Sequence, residues 1–279
     1  MRYGQFGPAR NGSSLFPEVD ATKPVSWRSR TVYVPTVGWI SFKGGGWTWG
    51  ERQLLVSRKG PQMVFGIFGR ADAEREVAVS GWLRARTDDA AEVLGWVASA
   101  DAGIFPPETA VANLRHCDGS PAAPVVLVTR SGIPVRIAEL AFLRGSARSR
   151  WMARACQVRG WSRDTFATDF AGRLGAALAR LHSLGGTNDV LSWDNVTLAA
   201  EWTDFEWLYV PGHPLPEAST DERLAERQWK SCIDAFEVVD RLTAMLGGDP
   251  FARRGAIRGC LDAYERSEGP VAIRSDWNG

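Results

Sequence analysis

The chain has 279 residues, with 33 Lys plus Arg, 32 Asp plus Glu and a formal net charge of +1. This length allows a substantial buried core and favours a compact two-lobed protein over a string of domains. Because it lacks a basic run, an apolar leader and an apolar run of membrane length, we expect a soluble cytoplasmic protein without nucleic-acid or membrane partners.

The first part of the chain is rich in short β-type runs separated by Gly and Pro, which predicts an antiparallel sheet. The predicted strands cover residues 31–34, 39–42, 53–56 and 62–68. A helix is predicted directly after them, over 72–83. Two further strands are predicted at 124–129 and 134–138.

The later part of the chain has apolar residues at helical spacing. One apolar face runs over 166–181, with Ser162 as the candidate N-cap and Gly185 as the candidate stop. A second helical face runs over 233–246, and a last helix is predicted at 256–264 after an Asp-Pro break. We therefore predict an α+β fold, with a small β-rich N-lobe over residues 1–120 and a mostly helical C-lobe over residues 121–279.

Three metal-capable side chains lie close together between residues 188 and 207. Asp194 and Asn195 are adjacent, a short apolar strand is predicted at 196–199, and Asp204 opens an Asp-Phe-Glu turn. A hairpin that returns Asp204 beside Asn195 would present an amide oxygen and a carboxylate to one Mg²⁺, which prefers hard oxygen donors. Protein kinases hold their metal with an Asn and a later Asp. The segment therefore predicts half of a kinase-type active site.

The usual catalytic base of a kinase is missing from its place in this segment. A protein kinase has an Asp five residues before the metal-binding Asn, where this chain has Val190. Asp194 stands immediately before the Asn instead. Asp194 is thus the candidate catalytic residue.

The segment resembles the selenoprotein O family, whose members have a protein-kinase-like two-lobed fold. Val190, Asp194, Asn195 and Asp204 align with the family pattern without a gap. Further fragments resemble family motifs and follow one another in the family's order, at residues 3–7, 42–48, 69–80 and 136–145. The resemblance identifies the chain as a short, divergent member.

The resemblance implies ATP together with Mg²⁺ or Mn²⁺ as cofactors. It also implies a nucleotide reversed relative to a kinase, so that AMP passes to a hydroxyl of a protein or peptide substrate. Asn195 and Asp204 would then hold the metal, and Asp194 would accept the proton of a substrate hydroxyl or position the nucleophile. A lysine that pairs with a glutamate of the next helix, a glycine turn and two guanidinium groups would contact the nucleotide. These residues are Lys43, Gly44, Gly46, Glu76, Arg136 and Arg144.

Each of these residues also has a plain structural interpretation. The glycines are typical of a permissive turn, and Lys43 and Glu76 of solvated surface charges, with Glu74 a competing ion-pair partner. Arg136 alternates with apolar neighbours like an outward-facing strand residue. Arg144 is also compatible with a polar helix face.

Two other functions remain open on the sequence. One is a kinase-like phosphotransferase that acts on a small molecule or peptide in a biosynthetic pathway. The other is a pseudokinase that binds nucleotide without catalysis. A scaffold would have no need for the full set of Lys43, Glu76, Asp194, Asn195 and Asp204, which favours an enzyme.

Overall fold

The structure is a computed structural model, which describes residues 29–34, 36–43, 68–102, 121, 123–141, 143, 145–213 and 223–270. These residues form a mixed α/β fold with small antiparallel sheets and five α-helices. The predicted combination of an antiparallel sheet with helices is confirmed. None of the described helices is both long and apolar enough to cross a membrane.

The chain divides into two compact units. The first unit takes the described residues of Met1–Gly81, Ala91–Val135 and Leu143–Trp151, and the second those of Trp82–Ala90, Arg136–Phe142 and Met152–Gly279. The functional division into a nucleotide-binding lobe over 1–120 and a metal-binding lobe over 121–279 stays a prediction.

The first unit contains a five-stranded antiparallel sheet among its described residues. Its strands are β1 (Ser29–Val34), β2 (Gly38–Lys43), β3 (Phe68–Gly69), β4 (Glu92–Ala98) and β5 (Pro124–Ser131). They are ordered β1-β2-β5-β3, and β4 also pairs with β5. The predicted strands at 31–34, 39–42 and 124–129 are confirmed. The strand predicted at 53–56 and most of that at 62–68 lie outside the described residues.

Strand β4 has no counterpart among the predicted elements. Gly95 interrupts its apolar run with φ of 147°, and the pairing with β5 shifts register between Val93 and Gly95. Glycine inside a strand weakens the β signal and commonly marks a bulge of this kind. The pairing with β5, and not the local sequence pattern, therefore explains why residues 92–98 form a strand.

Helix α1 (Arg70–Arg84) confirms the helix predicted over 72–83. The buried Ser80 hydroxyl donates to Ala91 O at 3.0 Å and accepts from Val93 N at 2.9 Å. These two bonds tie the helix to the chain entering β4. They fix the rotation of α1, and so the direction in which Glu76 projects.

The strand predicted at 134–138 is wrong. Residues 133–135 have no regular secondary structure, Arg136 makes one isolated bridge with Thr197, and Ile137–Ala141 is a 3-10 helix. The Glu139 carboxylate accepts from Arg136 N at 2.9 Å, and Glu139 N donates to Arg136 O at 3.1 Å. This reciprocal pair closes a helical turn, and the apolar alternation of the run gives no sign of it.

Four further helices follow: α2 (Gly145–Arg159), α3 (Phe166–Ser183), α4 (Leu224–Met245) and α5 (Pro250–Arg266). The helices predicted at 166–181, 233–246 and 256–264 correspond to α3, α4 and α5. The predicted apolar face of α3 is confirmed, because its large members are at most 3% exposed: Phe166, Phe170, Leu174, Leu178 and Leu181.

Three helix ends are expected from the sequence, at Ser162, Gly185 and the Asp-Pro break before the last helix. Two of the three are confirmed. Gly185 ends α3 with φ of 78°, and its N–H bonds His182 O at 2.9 Å. Asp249 caps α5 by accepting from Ala252 N at 2.7 Å. The predicted Ser162 cap is wrong, because α3 begins at Phe166 with Thr165 as its N-cap.

A two-stranded sheet frames the segment that carries the candidate metal ligands. Strand β6 (Thr187–Asn188) pairs antiparallel with β7 (Leu208–Tyr209), and Asp189 N donates to Trp207 O at 3.1 Å. The two ends of the segment are therefore held together by backbone bonds, and the residues between them form a closed loop.

His182 is the buried centre of a polar network in the second unit. Its Nδ1 lies 2.9 Å from Tyr264 Oη and its Nε2 lies 2.7 Å from Ser231 Oγ. Because Ser231 Oγ donates to Gln228 O at 3.0 Å, it accepts from Nε2–H, and Nδ1 accepts from Tyr264. The imidazole is thus satisfied in its neutral form, and burial lowers the pKa of His182 from 6.5 to about 3.

We predict that this histidine makes stability depend on pH. Between the unfolded pKa of 6.5 and the folded pKa of about 3, only the unfolded chain binds the proton. The free energy of unfolding should therefore fall by about 1.4 kcal/mol per pH unit as pH drops through this window. Urea unfolding at several pH values should show the stability gap between wild type and His182→Gln narrowing toward low pH. A gap that stays constant would contradict the assignment.

Helices α3 and α5 approach each other closely at Gly175. A Cβ atom at Gly175 would lie 2.1 Å from Cys260 O, which is a backbone atom and cannot rotate away. At Gly172, on the same helix, an added Cβ meets nothing within 4 Å. The two glycines therefore form a matched pair, one required by packing and one without a steric role.

We predict opposite effects for alanine at these two positions. Gly175→Ala should lower the free energy of unfolding by about 1–3 kcal/mol because it overpacks the helix contact. Gly172→Ala should raise it by about 0.5–1 kcal/mol because alanine favours the helix. Guanidinium unfolding of both variants tests this contrast. A Gly175→Ala variant as stable as Gly172→Ala would contradict the close helix approach.

Candidate functional site

In the first unit, Lys43 at the end of β2 forms an ion pair with Glu76 of α1. Lys43 Nζ lies 2.6 Å from Glu76 Oε1, with the side chains 17% and 2% exposed. The ammonium also lies 4.1 Å from the centroid of the Phe68 ring. The pair is therefore held in place on two sides, and the interpretation of these residues as solvated surface charges is wrong.

Glu76, and not its competitor Glu74, is the partner of this lysine. Glu74 pairs instead with Arg70 one turn away on α1, and both of those side chains are about half exposed, at 49% and 56%. A buried carboxylate requires a compensating charge, whereas an exposed one does not. The sequence left Glu74 and Glu76 open as partners of Lys43, and the structure shows that the partner is Glu76.

In the second unit, residues 195–204 form a hairpin, as predicted. Thr197 N donates to Glu201 O at 3.0 Å, and Thr203 N donates to Asn195 O at 2.8 Å. The hairpin thus brings Asp204 directly after the residue that pairs with Asn195. The strand predicted at 196–199 is wrong, because the chain turns at once and makes only isolated bridges on either side of the turn.

The Asn195 side chain is oriented by its own amide nitrogen. Nδ2 donates to Val190 O at 2.8 Å, and the residue is 6% exposed. Because a carbonyl oxygen can only accept, this contact identifies the nitrogen end of the amide. The Oδ1 atom is left as the end that can coordinate a cation.

Asp204 adopts a strained backbone conformation. Its φ of 62° and ψ of 73° are left-handed, and its side chain is only 9% exposed. This conformation costs a non-glycine residue about 1–3 kcal/mol and persists only where surrounding contacts impose it. Strained residues of this kind cluster at functional sites, which supports a role for the carboxylate.

Arg136 connects the two sides of this hairpin. Its Nη1 donates to Asp194 O at 2.7 Å and lies 3.6 Å from Asp204 Oδ2. The Arg136 side chain is 13% exposed, so its interpretation as an outward-facing strand residue is wrong. The predicted contact of Arg136 with a nucleotide phosphate stays a prediction.

The Asp194 side chain has a different environment from its neighbours. It is half-buried, and within the part of the chain that the structure describes its carboxylate makes no hydrogen bond. Only the backbone of Asp194 is engaged, through Arg136 and Ser192. The carboxylate is therefore available to accept a proton, which suits the role predicted for it.

The metal-binding roles of Asn195 and Asp204 stay a prediction. No group of three or more His, Cys, Asp or Glu able to hold a metal occurs among the described residues. As predicted, Asn195 and Asp204 would supply two oxygen donors, and Mg²⁺ is commonly bound through one or two carboxylates with phosphate oxygens and waters. The predicted nucleotide contacts Gly44, Gly46 and Arg144 lie outside the described residues.

Sequence reasoning missed three residues that support this hairpin. Two of them, Asp89 and Arg159, contact the hairpin from distant parts of the chain, and the third, Glu201, is the hairpin residue that pairs with Arg159. Arg159 and Glu201, for example, are 42 positions apart. No local motif signals such a contact, because it depends on how α2 packs within the second unit.

Comparison with protein-family models and with the curated proteins gives no match for this chain.

We predict strong energetic coupling between Lys43 and Glu76. A double-mutant cycle with Lys43→Met and Glu76→Gln should give a coupling free energy of about 1–3 kcal/mol. Each single change removes one charge of the pair and leaves the charge of the other residue in a buried environment. The same cycle on the exposed pair Arg70 and Glu74 should give about 0.5 kcal/mol or less. Urea unfolding measures both. Equal coupling in the two cycles would contradict a buried, fixed pair.

Proposed function

We propose that the protein is an ATP- and metal-dependent nucleotidyltransferase that transfers AMP to a hydroxyl group of a protein or peptide substrate. The observation that carries the proposal is the 195–204 hairpin, in which Arg136 lies against the strained Asp204 while Asn195 is oriented by Val190. A protein-kinase-like two-lobed fold and membership of the selenoprotein O family are parts of the same proposal. They rest on the resemblance of the motifs.

The electrostatics of the transfer explain the residue types. A nucleoside triphosphate carries several negative charges, which must be neutralised before a nucleophile can approach phosphorus. Asn195 and Asp204 would hold the metal ion, which supplies this neutralisation when it is bound. Lys43 would contact the phosphates while Glu76 keeps its ammonium in place, a pairing supported by the 2.6 Å contact.

The Asp194 carboxylate would accept the proton of the substrate hydroxyl. In the proposed step, Asp194 accepts the proton of the substrate hydroxyl, and the hydroxyl oxygen forms a bond to the α-phosphorus. The bond from that phosphorus to the oxygen bridging to the β-phosphate breaks, and pyrophosphate leaves with the electron pair. The half-buried Asp194 carboxylate, without a hydrogen bond to another described residue, supports this role.

The identity of the transferred group is tested with ATP labelled at either the α- or the γ-phosphate. The purified protein is incubated with Mg²⁺ or Mn²⁺ and a mixture of acceptor proteins and peptides, and its own mass is recorded. Transfer of the α label, or a gain of one AMP by the protein itself, supports the proposal. Transfer of the γ label alone would indicate a kinase-like phosphotransferase. ATP binding without transfer of either label would indicate a pseudoenzyme.

We predict that Asp204→Asn loses transfer by at least about 100-fold, because the change removes the charge of a metal ligand. Asparagine tolerates the left-handed backbone and keeps the shape of the side chain, so the fold should survive. Asp262→Asn, at an exposed ion pair on α5, is the matched control and should retain full transfer. Thermal unfolding confirms that both variants are folded. Unchanged transfer by Asp204→Asn would refute the site.

A further inference from the structure

A buried arginine holds the tip of the 195–204 hairpin. Arg159, the last residue of α2, donates from Nε to Ala199 O at 2.8 Å, and its Nη2 lies 3.3 Å from Glu201 Oε1. The Arg159 and Glu201 side chains are each 11% exposed. One guanidinium therefore contacts the backbone on one side of the turn and a side chain on the other.

The turn that Arg159 holds is itself strained. Ala200 has φ of 56°, in the left-handed region. The Thr197 hydroxyl accepts from Ala199 N and from Glu201 N, both at 3.2 Å. A non-glycine residue in this region needs neighbouring contacts to keep it there. Arg159 supplies such a contact, because it binds the residues directly before and after Ala200.

The returning side of the hairpin is held by Asp89. Trp202 N donates to Asp89 O at 2.7 Å. The Asp89 carboxylate is 1% exposed, lies 2.8 Å from Arg173 Nη2, and also pairs with Arg180 of the same helix. Arg159 also lies 3.7 Å from the neighbouring Asp88 through Nη1, but Arg173 and Arg180 still hold the Asp89 carboxylate when Arg159 is changed. This attachment of the hairpin therefore does not depend on Arg159 alone.

The other side of the hairpin is held at its base. Ile137 N donates to Val196 O at 3.0 Å, next to the oriented Asn195. The hairpin is thus fixed at its base, along its returning side and at its tip. Of these three attachments, the one at the tip depends on a single charged side chain.

We propose that Arg159 is a positioning residue for the metal ligands, which fixes the hairpin tip and thereby the separation of Asn195 and Asp204. The inference rests on the proposed function, and it assigns no contact between Arg159 and substrate. A planar guanidinium can engage a carbonyl and a carboxylate at once, whereas the single ammonium of lysine cannot reproduce this fork. The variant Arg159→Lys therefore keeps the positive charge and removes the planar two-armed contact.

The test compares Arg159→Lys with wild type. Calorimetry measures the Kd of the Mn²⁺–ATP complex and of metal-free ATP, and hydrogen exchange measures the amide protons of residues 195–204. We expect the Kd for Mn²⁺–ATP to rise about 10- to 100-fold, as for other residues that orient metal ligands. We expect the Kd for metal-free ATP to stay unchanged, and the hairpin amides to exchange at least about tenfold faster.

Two further variants keep the test decisive. Arg258→Lys is the matched control, because Arg258 is 62% exposed and pairs only along α5 with Asp262 among the described contacts; it should change neither readout. Glu201→Gln keeps the side-chain shape and removes the charge that Arg159 faces. It should loosen the hairpin and weaken Mn²⁺–ATP binding in the same direction, even if Arg159→Lys fails to fold.

The outcomes separate this inference from the function on which it rests. Hairpin amides that exchange at the wild-type rate in Arg159→Lys would overturn the inference. Faster exchange with an unchanged Kd for Mn²⁺–ATP would also overturn it, because Arg159 would then be purely structural. If wild type itself binds no Mn²⁺–ATP, the proposed function is wrong and the inference falls with it.

Discussion

The Arg136 guanidinium and the Asp204 carboxylate join the two ends of the candidate site. The arginine also binds Asp194 O, so one side chain contacts the residue before Asn195 and the residue that ends the hairpin. A carboxylate that is 9% exposed is costly without a partner, and the left-handed backbone of Asp204 adds strain. Their contact compensates the carboxylate charge and helps to orient the Asp204 side chain.

The same contact has a consequence for metal binding. A guanidinium beside Asp204 reduces the negative potential that a cation meets at this carboxylate. In the proposed function, Asn195 would contribute a neutral oxygen to the metal ion. A divalent ion held there would complete its coordination with phosphate oxygens and water, so we propose that metal and nucleotide bind together.

Each unit contains buried charges or polar groups that pair with one another. Lys43 and Glu76 compensate each other in the first unit, and Arg159 and Glu201 in the second. His182 is satisfied in its neutral form by Tyr264 and Ser231. Such pairs add little net stability, but removing one partner is costly, so they keep the structure around them in one conformation.

The amino-acid sequence by itself determined the features that depend on neighbouring residues. The helix stop at Gly185, the break before α5, the strands formed by short β-type runs and the return of the 195–204 hairpin all follow from local chemistry. Asp194, Asn195 and Asp204 could be singled out because they lie within one short segment.

Only the tertiary structure decided the features that depend on distant partners. Strand β4 exists because β5 pairs with it despite Gly95, and Glu76 rather than Glu74 meets Lys43 because of how α1 is rotated. Arg159 reaches the hairpin from 40 positions earlier in the chain. Local patterns specify which face of an element is apolar, but packing alone selects which polar groups then become buried together.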